Sequence, residues 1–166
     1  MSNGGSTPDS FRQTMSRLAT GVVVLSVGEP DVHAMTANAF GSVSLDPPLV
    51  QCCIAHSAVM HDSLTGARTF GVSILDARQE QIARYFADKA RPLGRAQFDG
   101  VPWQPGPLTG APLLPGALAW LECELVGSHT AGDHSLFLGK VLSSATGDGR
   151  EALLFYGGRF QRVPAA

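Results

Sequence analysis

The stretch Ala34–Leu49, AMTANAFGSVSLDPPL, mixes short polar side chains with apolar ones and stops at Asp46-Pro47-Pro48. Thr36 and Asn38 alternate with apolar neighbours, which is the period of a strand with two different faces. Such a strand can form the wall of a site for a flat ligand with polar edges. A surface strand whose Thr and Asn face water explains the same pattern, so the residues alone leave both interpretations open.

Length, composition and charge limit the class of protein. The chain has 166 residues, of which 44% are hydrophobic and 16% are charged, and its net charge is −2. These values predict one globular domain whose core needs no cross-links. The sequence contains no basic run typical of nucleic-acid binding and no apolar run long enough to span a membrane. We therefore expect neither nucleic acid nor a membrane as a partner.

The N-terminal residues MSNGGSTPDS contain neither a basic segment nor an apolar core, so they do not resemble a signal peptide. We expect residues 1–8 to form a flexible tail and residues 9–164 to form the single domain. The cysteine spacing matches no zinc site, so no metal is predicted. Cys52, Cys53 and Cys123 are interpreted as reduced thiols, which fits a cytoplasmic protein.

Short apolar segments separated by turn residues dominate the chain. Gly21–Val27 is rich in β-branched residues and is predicted to be a buried strand, with the opening stretch as its hairpin partner. Gly157-Gly158 is typical of a tight hairpin between the last two strands. Few helices and no repeating βαβ unit indicate a mainly β protein built as a barrel.

Two helix starts lead to different expectations. Thr7-Pro8 matches an N-cap followed by proline, and an apolar stripe at helical spacing predicts that this helix lies on the barrel. The stripe consists of Phe11, Met15 and Leu18. Ser57 occupies an N-cap position after the predicted strand Leu49–Ala55, and a helix N-terminus beyond a strand is a natural anion site. Ordinary capping explains Ser57 equally well.

Residues 88–115 are rich in Pro and Gly, and loops of that length usually carry function or cover a site. The segment begins with three cations that could reach a phosphate, Lys89, Arg91 and Arg95. A solvated basic loop is the alternative. The chain has no Gly-x-Ser-x-Gly, no His-Glu-x-x-His and no Gly-x-Gly-x-x-Gly after a strand, so no hydrolase, zinc protease or Rossmann enzyme is indicated.

Four segments resemble, in order and spacing, the flavin reductase domain family. They are ATGVVVLSV at 19–27, HAMTANAFGSVSLDPPLV at 33–50, FGVSIL at 70–75 and GDHSLFLGKV at 132–141. The resemblance implies an FMN-binding split β-barrel with a few short flanking helices. It also implies a homodimer that reduces FMN or FAD with NADH or NADPH and supplies the reduced flavin to a partner monooxygenase.

The resemblance also implies roles for particular residues. Two segments would line the flavin: Ala34, Met35, Thr36, Ala37 and Asn38, then Ser42, Val43 and Ser44. The phosphate would lie near Ala55, His56 and Ser57, with Lys89 close by. Many family members have Arg or Lys and a second hydroxyl at the phosphate segment, and this chain has neither. His134, in Gly132-Asp133-His134, would be the catalytic residue that contacts or orients the nicotinamide. Weaker candidates on the nicotinamide side are Arg12, Tyr156 and Arg159.

Several alternatives remain open from the sequence. A non-catalytic flavin-binding protein of the same fold matches the same residues, as does a split-barrel oxidoreductase that keeps its flavin and reduces another substrate. A flavin ring performs its own redox chemistry, so the lack of a catalytic constellation does not separate these functions. The residues also leave open the choice between FMN and FAD, the choice between NADH and NADPH, and the identity of the partner oxygenase.

Overall fold

The computed structural model describes residues 5–164, which form three α-helices and twelve strands. The helices are α1 (Pro8–Met15), α2 (Val59–Ala67) and α3 (Glu80–Ala87). The strands are β1 (Thr20–Gly21), β2 (Val23–Val27), β3 (His33–Ala37), β4 (Phe40–Leu45), β5 (Pro48–Ala55), β6 (Thr69–Ile74), β7 (Gln104–Pro105), β8 (Pro112–Leu113), β9 (Ala119–Ala131), β10 (His134–Thr146), β11 (Glu151–Tyr156) and β12 (Arg159–Pro164). No helix in this range is long and apolar enough to cross a membrane. Residues 1–4 of the predicted tail lie outside the described residues.

Seven antiparallel strands form the main sheet, in the order β3-β2-β6-β9-β10-β5-β4. The two edge strands, β3 and β4, are consecutive in the chain and are joined only by Asn38 and Ala39. Three peptide units span at most about 11 Å, so the end of β3 must lie close to the start of β4. The sheet therefore curls on itself, and the backbone N–H of Cys53 donates to the carbonyl of Ala39 at 3.0 Å, which extends the pairing of β4 with β5. The predicted mainly β, split-barrel fold is confirmed.

Strand β2 separates two apolar clusters. All five of its residues are buried, although alternate side chains point to opposite faces. Val23 and Leu25 face the barrel interior with Phe70 and Phe137, whereas Val24 packs with α3 and the long loop that follows it. A strand covered on both faces explains why this part of the sequence is an unbroken apolar run.

Helix α1 differs from its prediction. Thr7 caps it and Pro8 opens it as expected, but the helix ends at Met15, so Leu18 of the predicted stripe lies beyond it. None of its residues is buried, and Phe11 and Leu18 are 59% and 58% exposed. The expectation that its apolar stripe lies on the barrel is therefore wrong for a single protomer. The backbone N–H of Gly157 donates to the carbonyl of Ser16, which ties the helix end to the β11–β12 hairpin rather than to the sheet.

Asp76 joins the main sheet to the small sheet β1-β11-β12. Its buried carboxylate accepts hydrogen bonds from Nε and the backbone N–H of Arg78 at 2.8 and 2.9 Å, and from the backbone N–H of Arg150 at 2.9 Å. The hydrogen bond from the Arg78 side chain, together with those from the backbone, keeps the pKa of Asp76 well below its usual range. One carboxylate thus holds two chain segments 74 residues apart.

We expect Asp76→Ala to lower the free energy of unfolding by about 2–4 kcal/mol, because it removes charge-assisted hydrogen bonds and leaves partly buried N–H groups without partners. Urea denaturation at neutral pH measures the change. Asp148→Ala is the matched control, since Asp148 is exposed and lies close by in the chain, and it should alter stability by less than about 0.5 kcal/mol. Equal effects of the two substitutions would refute the role assigned to Asp76.

Candidate active site

A cavity of about 420 Å³ lies at the barrel seam, where β3, the end of β5, the start of α2 and the start of β10 meet the loop after α3. Its volume is in the range of small-molecule sites. It brings together eight of the residues predicted from the sequence: Met35, Thr36, Ala37, Asn38, Ala55, Ser57, Lys89 and His134. These come from four separate parts of the chain, so the fold itself assembles them.

Other predicted residues do not line this cavity. They are Ala34, Ser42, Val43, Ser44, His56, Arg12, Tyr156 and Arg159. Ala34 is fully buried and points towards α3 and the long loop, and Ser42–Ser44 belong to β4, beyond the point where the chain changes sheet edge. Arg12 pairs with Asp9 at 2.9 Å on exposed α1. The roles of all these residues stay predictions.

The polar side chains of the wall are mostly engaged with neighbouring elements. The hydroxyl of Thr36 donates to the carbonyl of Ala83 in α3 at 2.7 Å, and Nδ2 of Asn38 donates to Oγ1 of Thr20 at 3.2 Å. These bonds fix β3 against α3 and β1. The single hydroxyl proton of Thr36 is already donated to Ala83. A ligand at this wall can therefore contact only the backbone groups, the methyl groups and the free acceptor sites of the wall.

The N-terminus of α2 has no side-chain cap. The cap position is Ala58, one residue later than predicted, and no side chain accepts from the first turn. The expectation that Ser57 caps the helix is therefore wrong, and Ser57 lines the cavity instead. Backbone N–H groups at a helix start that lack an internal acceptor attract anions. The alternative that Ser57 serves only as a helix cap is therefore excluded.

A histidine pair fixes this helix start to β10. Nε2 of His56 and Nε2 of His61 lie 3.1 and 3.0 Å from the hydroxyl oxygen of Ser135, which is buried. The ring of His61 also packs edge-on against Phe137 inside the barrel. Ser135 directly follows His134, so the cluster sets the position of the α2 terminus relative to His134.

His134 is oriented by its neighbour in the turn. Its Nδ1 lies 2.7 Å from a carboxylate oxygen of Asp133. Because a carboxylate only accepts, Nδ1 carries a proton and, in the neutral ring, Nε2 keeps its lone pair. The hydrogen bond from His134 lowers the pKa of Asp133. The His134 side chain is 45% exposed and lines the cavity, which suits contact with an exchangeable ligand.

The cavity lining is also cationic. Lys89 and Arg91 belong to it, together with His33, and no acidic side chain does so within residues 5–164. His33 is only 4% exposed, and both its ring nitrogens face N–H donors, Nε2 of Gln97 and a guanidinium nitrogen of Arg91. Burial, and then the charge of Arg91, lower the pKa of His33 to about 4. His33 is therefore neutral at physiological pH. In the same described range no cluster of His, Cys, Asp or Glu could hold a metal ion.

Comparison with known proteins identifies the family. Residues 15–164 match the model of the flavin reductase like domain. The chain belongs to this flavin reductase family. An NADH-dependent FAD reductase from Streptomyces globisporus is 50% identical over 152 residues, which cover 92% of this chain and 84% of that protein.

Two solved structures of flavin reductases resemble this one along almost their whole length. BorF, the flavin reductase component of a bacterial two-component tryptophan halogenase, matches with a TM-score of 0.93 and 47% identity, covering 96% of this chain and 100% of BorF. The Streptomyces globisporus NADH:FAD oxidoreductase SgcE6, in complex with NAD and FAD fragments, matches with a TM-score of 0.88 and 46% identity, covering 93% and 92%.

Sequence reasoning missed one residue of this cavity, His33, because it carries no local pattern. Arg91 is among the three cations expected to reach a phosphate, with a solvated basic loop as the alternative, and it lines the cavity. Its contact with His33 bridges 58 positions of the chain, so only the fold brings the two residues together.

We expect acidification from pH 6.5 to about 4 to lower the free energy of unfolding by roughly 3 kcal/mol through His33 alone. In this interval the unfolded chain protonates His33 and the folded protein does not, so the contribution is complete above pH 6.5 and is lost as pH falls. Urea denaturation of wild type and His33→Gln across this range measures it. His129→Gln, at an exposed histidine, should keep the wild-type slope. An unchanged slope in His33→Gln would contradict the assignment.

Proposed function

We propose that this protein reduces FMN or FAD with NADH or NADPH and delivers the reduced flavin to a separate monooxygenase. One observation carries the proposal: in a chain of the flavin reductase family, the stretch that matches the family motif lines a cavity that two cationic side chains, Lys89 and Arg91, also line. A flavin nucleotide combines the matching features, a flat ring and a phosphate. The two-component system of BorF supports delivery to a partner enzyme.

The residues present fit a flavin. The wall of Met35, Ala37 and Ala55 offers apolar contact, while Ser57, the α2 terminus and Lys89 offer phosphate contacts. When bound, the isoalloxazine ring supplies the hydride chemistry, so the protein needs no nucleophile of its own. The protein positions the ring, excludes water and hydrogen-bonds its edges.

His134 orients the nicotinamide in this proposal. Asp133 holds its ring so that Nε2 points away from the carboxylate and can accept a hydrogen bond from a carboxamide. A smaller cavity of about 170 Å³ adjoins the main one through Thr36, Ala37 and Asn38 and is lined by Phe155 and Phe160. Its aromatic wall favours a second flat ring beside the first. The neighbouring residues Tyr156 and Arg159 stay candidates for the nicotinamide side.

A homodimer is part of the proposal. In the single protomer the apolar stripe of α1 is uncovered within the described residues, and on edge strand β4 Leu45 is 93% exposed. Exposed apolar side chains grouped in this manner favour a protein partner. We also place the protein in the cytoplasm. The three cysteines are free thiols, which suits a reducing compartment.

Anaerobic stopped-flow mixing tests the reaction. With FMN and FAD in turn, NADH or NADPH should bleach the flavin absorbance in a time course that depends on the protein. The reduced flavin should then dissociate, so gel filtration should leave the protein colourless. Binding without bleaching would indicate a non-catalytic flavin-binding protein. A yellow protein after gel filtration would indicate an oxidoreductase that keeps its flavin.

We expect His134→Ala to lower kcat/KM for NADH by about 10- to 100-fold, because a misplaced nicotinamide rarely reaches a reactive geometry. Equilibrium binding of FMN should stay unchanged, since the flavin wall is intact. His129→Ala, at an exposed histidine on the neighbouring strand, is the control and should behave like wild type. If His134→Ala also leaves both KM and kcat for NADH unchanged, the nicotinamide role is wrong.

We expect Phe11→Asp to convert the dimer to a monomer, because a carboxylate would then lie in the apolar contact that α1 provides. Light scattering coupled to gel filtration measures the mass. Gln13→Asp is the control, since residue 13 lies on the opposite side of the helix from the apolar stripe. A wild-type chain of monomer mass at micromolar concentration would contradict the dimer.

A further inference from the structure

We propose that Arg91 is the principal phosphate-binding residue of the flavin site and takes over the role of the basic residue missing from His56–Val59. The inference rests on the proposed function, because it names the residue that recognises the ligand in the same cavity. Lys89 and Ser57 then provide secondary contacts. The ligand class is a flavin nucleotide, with riboflavin excluded from this contact because it lacks the phosphate.

The guanidinium of Arg91 is held in place by neutral groups only. It donates to the carbonyl of Asp88 at 2.6 Å and to the carbonyl of Ala34 at 2.5 Å, and it lies 3.4 Å from Nε2 of His33. It also lies over the ring of Phe86, with 5.9 Å between its carbon and the ring centroid. These contacts hold the guanidinium group in the cavity lining without neutralising its charge.

Part of the hydrogen-bonding capacity of Arg91 is unused. A guanidinium has five N–H groups, and the three contacts leave Nε, which is buried and has no hydrogen-bond partner in the described structure. Native proteins rarely leave a buried donor unpaired, so this guanidinium has hydrogen-bonding capacity that the described residues do not use. Arg91 also has no carboxylate partner within residues 5–164, unlike Arg78, Arg84 and Arg95.

The surroundings of Arg91 favour an anion over any other ligand. Burial lowers the pKa of Arg91, yet an arginine stays charged at neutral pH. His33 beside it is neutral, and Lys89 adds a second positive charge to the same cavity. A planar guanidinium can bind phosphate oxygens through two parallel hydrogen bonds, which a lysine cannot do. The uncapped start of α2 lines the same cavity and adds backbone donors.

The test compares ligands with and without the phosphate. Dissociation constants of FMN, FAD and riboflavin are measured by fluorescence quenching without any nicotinamide, for wild type, Arg91→Met, Arg91→Lys and Arg95→Met. Arg91→Met should weaken FMN and FAD binding by about 10- to 100-fold and leave riboflavin within about twofold. Arg91→Lys should weaken FMN and FAD binding by an intermediate amount, because lysine keeps the positive charge but lacks the planar guanidinium.

Arg95→Met is the matched control. Arg95 belongs to the same loop, but it is exposed, pairs with Glu29 and does not line the cavity, so its removal should leave all three constants unchanged. Equal loss of FMN and riboflavin binding in Arg91→Met, or unchanged FMN binding, would overturn the inference. A lowered melting temperature of Arg91→Met would not overturn it, provided that the dissociation constant of riboflavin stays at the wild-type value. Failure of the wild-type chain to bind any of the three flavins would instead refute the proposed function.

Discussion

The structure depends on one covalent constraint, the two-residue link between β3 and β4. Asn38 and Ala39 carry the chain from one edge of a seven-stranded sheet to the other, so the sheet can form only if its edges meet. The link brings the end of one edge strand close to the start of the other. It also creates a seam where main-chain groups from both edges face the same space.

The cavity lies at that seam because several elements begin or end there. The registered pair of Ala55 and His134 places the last residue of β5 beside the first residue of β10, and α2 starts just beyond. A ligand therefore meets strand ends, a helix start and a loop rather than the flat middle of a sheet. Such a position supplies backbone donors and acceptors without requiring many polar side chains, which matches an enzyme whose ligand performs the chemistry.

Local patterns predicted the elements well, and long-range contacts explain where they failed. The double glycine of the last hairpin and the Thr7-Pro8 start of α1 depend on residues within a few positions, so the sequence predicts them. The apolar residues of the exposed α1 stripe have the same spacing as residues that pack into a core. The local sequence therefore does not distinguish a face buried within the protomer from a face that a partner subunit would cover. Ser57 does not cap α2 because the helix starts one residue later than predicted. Helix propensities do not fix a helix boundary to a single residue.

The placement of Arg91 also bears on how tightly this site can hold its ligand. A partly buried cation without a hydrogen-bonded carboxylate costs stability in the empty protein, and a bound anion recovers part of that cost. Because Asp88 and Ala34 already hold the guanidinium, binding needs little further ordering of this side chain. Release of reduced flavin nevertheless demands modest affinity, and a dissociation constant near 1 μM corresponds to only about −8 kcal/mol. In the proposed site one preorganised arginine suits such modest affinity, whereas a larger set of charged clamps would oppose release.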